Sequence, residues 1–244
     1  MTPSIIKTSI NKLGIIFDLD DTLCDWQAAQ QSAELAINHF LRSHEVNHGQ
    51  FWQHFHHINE DLYTDFVNGK LKKHEYRVQR FAAPLTQQYP HKHHLASQIN
   101  DLFMQTALQS IHAVAGVQQV LEKALNHHYQ IGILTNGASD SQREKIHCLG
   151  VEPYIHAICI SEEVGVGKPH PQAFYNVCKA LNCQPEHCIM VGDSWLNDIA
   201  PARALGMGTY WVDTPHSQRV QVSEGILTGS LSALSPLIHA SKWW

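Results

Sequence analysis

The sequence has no apolar run approaching the roughly 20 residues of a membrane-spanning helix. Its N-terminus, "MTPSIIKTSINKLGIIFD", has no basic stretch leading into a continuous apolar one. Neither a secretory leader nor a membrane anchor is therefore expected. Charge is sparse: 16% of the 244 residues are charged, with a formal net charge of -5. That balance supplies no basic field, so neither a nucleic-acid polymer nor a membrane is expected as a partner. The six cysteines (Cys24, Cys148, Cys159, Cys178, Cys183 and Cys188) include no C-x-x-C pair. In a chain of this length without a visible export signal they read as reduced packing thiols, and the expected location is the cytoplasm. Internal repeats and low-complexity linkers are lacking too. What remains is one large globular domain, or one domain with a sizeable insertion.

What is present falls into two textures. Residues 25–112 show little strand character and carry about four helical patterns. In the first, "WQAAQQSAELAINHFLRSH", the spacing places Ala28, Leu35, Ile37 and Phe40 on one face. On either side, in 1–24 and 113–244, short apolar runs alternate with helical segments: "GIIF", "YQIGILT", "IHAICIS", "CIMVGD" and "GTYWVD". Gly150 and Gly206 stand where helices would stop. Compact apolar strands alternating with helices predict an α/β fold with a doubly wound, Rossmann-like parallel sheet. The helical stretch 25–112 is then a cap domain inserted after the first strand.

The stretch "GIIFDLDDTLCDW" (14–26) ends a buried strand on Asp18, Asp20 and Asp21. Crowding carboxylates there is costly without compensation. Other strands also end on reactive residues: Thr135 with Asn136, Ser161, and Asp193. In a doubly wound sheet these ends meet at the edge where ligands bind. Phosphoryl transfer fits such a set. A carboxylate can attack phosphorus, a second carboxyl can give and take the proton, and Mg2+ on one or two carboxylates offsets the repulsion.

"DLDDT" (Asp18–Thr22), "TN" (Thr135, Asn136), "GKP" around Lys168 and "GDSWLND" (Gly192–Asp198) resemble, in order, the four motifs of the haloacid dehalogenase-like superfamily. The "TNG…Q" run and "ISEEVGVGKPHPQAF" look like its helical-cap branch, which includes nucleotidases, acylneuraminate phosphatases and other small-molecule phosphatases. The resemblance implies a Mg2+-dependent phosphatase of a small phosphorylated metabolite. Asp18 would be nucleophile and metal ligand. Asp20 would be general acid/base, with its carbonyl on the metal. Thr135 and Asn136 would donate to the phosphoryl oxygens, and Lys168 would offset charge. Asp193 would be the other metal carboxylate, assisted by Asp198. Arg77, Arg80 and Trp52 in the cap are candidate substrate contacts.

Other readings fit less well. An EF-hand fails because Leu23 and Ala29 stand where Gly and Glu are needed. "GVGKP" is no P-loop, because Pro169 replaces the metal-binding Ser or Thr. A dehalogenase would need neither the Asp20 acid nor a metal, and a phospho-receiver has no use for a helical insertion of this length. A phosphomutase shares the first half-reaction and stays open. Asp21 reads equally as a cap or surface group and as part of the catalytic set. The histidine clusters His54, His56, His57 and His91, His93, His94 read as solvated faces, and the terminal "KWW" as a docking segment.

Overall fold

Strand β1 (Gly14–Phe17) is buried along its whole length, as a strand covered on both faces must be. In the computed structural model, which describes residues 12–214 and 226–238, it lies inside a six-stranded parallel sheet. The other strands are β2 (Gln130–Thr135), β3 (Ala157–Ile160), β4 (Cys188–Gly192), β5 (Gly208–Val212) and β6 (Leu227–Gly229). Their spatial order is β3-β2-β1-β4-β5-β6. The chain therefore runs outward from β1 through β2 and β3, then returns to β1's other side with β4. That reversal opens a crevice at the carboxyl ends of β1 and β4. The edge strand β6 is three residues long and has no clear sequence signal.

Four helices follow β1 directly, ahead of those that cover the sheet: α1 (Trp26–Ser43), α2 (His48–Val67), α3 (Lys73–Gln88) and α4 (Leu95–Gln109). Asp25 caps α1 by accepting from Ala28 N at 3.0 Å. The buried face of α1 is Ala29, Ala33, Ile37 and Leu41. Of the residues expected there, only Ile37 is buried; Leu35 is 69% exposed. Small alanines at i, i+4 spacing let α4 approach closely, a signal that a search for large apolar residues passes over. Trp52, expected as a possible substrate contact, belongs instead to the packing of α2, where its indole donates to Asn38 Oδ1 at 2.7 Å.

Beyond them the sheet is clothed by α5 (Val117–Asn126), α6 (Ser139–Leu149), α7 (Ser161–Val164), α8 (Pro171–Leu181) and α9 (Ala200–Ala204). Ile15 and Phe17 face one core, while Ile16 joins Met190, Phe174 and Leu181 in the other. Cys178, Cys183 and Cys188 sit on helix, loop and strand as expected, but the fold gathers them beneath Gly14. Glycine leaves room for them: a Cβ there would lie 2.7 Å from Cys188 Sγ, and the thiol would have to shift. Three of the clustered histidines are locally satisfied: His54 Nδ1 meets Gln50 O, and His93 and His94 each meet a carbonyl three residues back. The terminal "KWW" lies outside the described residues. Among those described, no helix is long and apolar enough to cross a membrane.

Candidate active site

Asp18 follows β1 directly, and its N–H donates to Val191 O at 2.9 Å. The last rung of the β1–β4 ladder thus sets its carboxylate at the crevice. Lys168, arriving from the loop before α8, donates from Nζ to Asp18 Oδ1 at 2.5 Å and to Asp198 Oδ1 at 2.7 Å. Asp18, Lys168 and Asp198 are all buried. Asp193 completes the group: it, Asp18 and Asp198 each bring a carboxylate oxygen within 4.8 Å of the others.

Local geometry explains how Asp198 reaches this position. The chain leading into α9 begins as a wide turn, with Ile199 N and Ala200 N donating five residues back to Ser194 O and Trp195 O. That turn folds Asp198 back so that Oδ2 accepts from Ser194 N at 3.0 Å. It also presses the carboxylate onto Gly192, where any side chain would overlap it.

Burial pushes the Asp18 carboxyl well above the ordinary range; Lys168 opposes this, while Asp198 and Asp193 add to it. Burial likewise pushes Asp193 up to about 7, with Asp198 and Asp21 contributing. Burial alone would depress the Lys168 ammonium, but Asp18 and Asp198 outweigh it and raise it. Three carboxylates against one ammonium leave two negative charges, the charge of one divalent cation. An all-oxygen donor set suits a hard ion such as Mg2+. Both Asp198 oxygens are already engaged, so Asp18 Oδ2 and Asp193 are the oxygens best placed to face a cation.

Asp20 points elsewhere. Its oxygens accept from Lys145 Nζ at 2.7 and 2.9 Å and from Gln142 Nε2 at 3.1 Å. Gln142 Nε2 also donates to Thr135 Oγ1 at 2.6 Å, and the threonine hydroxyl itself donates to Asn136 O at 3.4 Å. Lys145 is buried, with Nζ 3.3 Å from the centre of the Trp26 ring. Gln142 entered the sequence reading only as the Q of the "TNG…Q" run, with no role assigned, and Lys145 did not enter it; on a polar helix both look solvated. Asn136 also differs from expectation. Its side chain donates to Lys168 O and accepts from Lys168 N, each at 2.8 Å, so it braces the lysine loop. Ser161 accepts from Gly137 N and supports the turn after β2. Asp21, in a left-handed conformation (φ 59°), accepts from Gln27 N as a cap would.

Asp20, Gln142 and Lys145 form the floor of a cavity of about 310 Å3 whose upper wall comes from α1 to α4. The cap is tied down at its rim, where Arg77 donates to both Asp140 oxygens at 2.8 Å and to Ser141 Oγ at 2.7 Å. Arg77 and Arg80 line the cavity; Trp52 does not.

A family model described as haloacid dehalogenase-like hydrolase matches residues 15–212. Glyceraldehyde 3-phosphate phosphatase of Pyrococcus furiosus is 32% identical over 200 residues, 81% of this chain and 79% of that protein. N-acylneuraminate-9-phosphatase of Mus musculus is 30% identical over 213 residues, 82% of each chain. The YfnB protein of Bacillus subtilis, in a structure bound to magnesium, shares the fold with a TM-score of 0.72 at 22% identity. That match covers 93% of this chain and 99% of the other.

Proposed function

The chain belongs to the haloacid dehalogenase-like hydrolases, and from that premise we propose that it is a Mg2+-dependent phosphatase of small phosphate monoesters, acting through an aspartyl phosphate on Asp18. The observation that carries the reading is the division of labour between two carboxylates two residues apart. Asp18 is locked by Lys168 into the acidic pocket, while Asp20 turns onto the floor of the cavity.

Asp18 and Asp193 would hold the cation, with the Asp20 carbonyl, and Asp198 would fix the lysine between them. When bound, Mg2+ offsets the charge on the attacking carboxylate and the phosphoryl oxygens. An Asp18 oxygen attacks phosphorus and the bond to the leaving oxygen breaks, that oxygen taking a proton from Asp20. Asp20 then takes a proton from water, whose oxygen attacks the aspartyl phosphate and restores the Asp18 carboxylate. Thr135, oriented by Gln142, and Lys168 donate to the phosphoryl oxygens; Asn136 acts by holding Lys168 in place. The cap wall keeps bulk water from the intermediate. Displacement of halide from carbon would use neither the Asp20 proton nor the cation, so the site has more parts than a dehalogenase needs.

The test is phosphate release from p-nitrophenyl phosphate and a set of metabolite esters, with Mg2+ or with chelator. Release that requires Mg2+ is expected. Release that is undiminished by chelator, or no release from any ester, contradicts the proposal.

Stability should report the cation too. A carboxyl raised on folding holds its proton more tightly in the folded state, so the stability it favours is present at low pH. That stability is lost as pH climbs from the unfolded value near 4 through about 7 for Asp193. Lys168 stays protonated in both states over this window and adds no slope. Metal-free protein should therefore melt roughly 5 °C lower at pH 8 than at pH 5 from these groups. Millimolar Mg2+ should restore most of that at pH 8 and little at pH 5. A Mg2+ increment equal at both pH values would contradict the charge assignment.

Lys145 positions the acid. Lys145→Met should lower kcat by about 10- to 100-fold for alkyl phosphates, which need the proton. The loss for p-nitrophenyl phosphate, with its good leaving group, should be much smaller. Equal losses on both esters would show that Lys145 serves packing alone.

A further inference from the structure

We infer that the cavity is shaped for a phosphate ester whose far end carries a carboxylate, and that Arg80 is the group that reads it. This rests on the phosphatase reading and narrows its substrate class. Three cations line the cavity. Arg77 is paired with Asp140 and Lys145 with Asp20. Arg80 is paired with nothing of opposite charge among the described residues, although it is the deepest in the cap. Its Nη1 donates to Tyr76 Oη at 3.3 Å and its Nη2 to Asn100 Oδ1 at 3.0 Å and Met104 Sδ at 3.8 Å, all neutral, and its buried Nε has no partner.

The guanidinium is held instead by ring faces. Its carbon lies 5.0, 4.7 and 4.9 Å from the centres of Tyr76, Phe81 and Phe103. Ring quadrupoles attract a cation but do not neutralise it. A charge without a counter-ion in so apolar a wall is costly, and methionine or leucine would fill the space with less penalty. Asn100, itself buried, is set across from it on α4 to take one side of the fork. A carboxylate accepted from the cavity side would supply the missing charge and match the planar fork. A neutral nucleobase could stack on these rings but would leave the charge standing. The space is modest, about 310 Å3, which suits an acid joined to the phosphoryl end by a short linker.

The experiment compares kcat/KM within matched pairs: phosphoglycolate against ethyl phosphate, and 3-phosphoglycerate against glycerol 3-phosphate. Uridine 5'-monophosphate and p-nitrophenyl phosphate are run beside them. Wild type is expected to favour the acid of each pair by about 10- to 100-fold, mostly through KM. Arg80→Met should bring that ratio close to one and Arg80→Lys to an intermediate value. The wild-type ratio decides alone if the buried methionine prevents folding. Equal rates within both pairs, a ratio unmoved by either variant, or a preference for the uridine ester over the acids would overturn the inference. In each of those cases p-nitrophenyl phosphate is still hydrolysed and the phosphatase reading stands. No release from any ester removes that reading, and the inference with it.

Discussion

Asp18→Asn is expected to abolish turnover, lowering kcat by about 10⁴-fold or more while the protein stays folded. The amide has the shape of the carboxylate and can still accept from Lys168, so the Asp18–Lys168–Asp198 contact survives. What is lost is the one oxygen that can bond to phosphorus. The change also removes a charge whose ionisation burial and two neighbouring carboxylates oppose. Metal-free Asp18→Asn should therefore melt no lower than wild type at pH 8, an outcome unusual for a change at a buried, ion-paired residue. Phosphate release and a melting curve on the same sample check both halves. Activity within tenfold of wild type would remove Asp18 as nucleophile.

Lys168→Met should fail in the opposite pattern, losing activity and stability together. This lysine is the only cation touching either Asp18 or Asp198 through a hydrogen bond among the described residues. Without it two buried carboxylates face each other uncompensated, and breaking a buried pair in this way costs about 3–5 kcal/mol. The Asp18 carboxyl would then hold its proton to higher pH than in wild type, so the deficit should be large at pH 8 and shrink towards pH 5. Activity should fall about 10³-fold, because the phosphoryl group loses a charged donor, and lowering the pH should not restore it. Urea unfolding at the two pH values, with phosphate release alongside, measures this. Equal stability of variant and wild type at pH 8 would mean that the lysine does not neutralise the pair.

The strand ends were legible because each strand is short and apolar and stops on a polar residue, so Asp18, Thr135 and Asp193 could be placed on one edge before any coordinates. Lys168 was legible for another reason, the local run of residues around it. Lys145 and Gln142 were not. On helix α6 they are polar residues among polar residues, and only the packing of Trp26 and the cap over that helix takes them out of water. Asn136 illustrates a different limit. A residue type and position can suggest a hydrogen bond, but the partner was set by the loop that carries Lys168. The cap was legible as four helices but not by face: the i, i+4 alanines of α1 bury a side that the larger residues had seemed to mark. Arg80 stood in the sequence as one arginine on a helix, and its meaning comes from the three rings around it and from its having no acid partner among the described residues.

The measurement that bears most directly on the account is a single turnover with 32P-labelled substrate, quenched in acid before the intermediate hydrolyses. The labelled peptide is then identified by fragmentation. The account predicts transient label on Asp18, requiring Mg2+ and missing in Asp18→Asn. Phosphate released at full rate with no label on protein, or label on another residue, would contradict it.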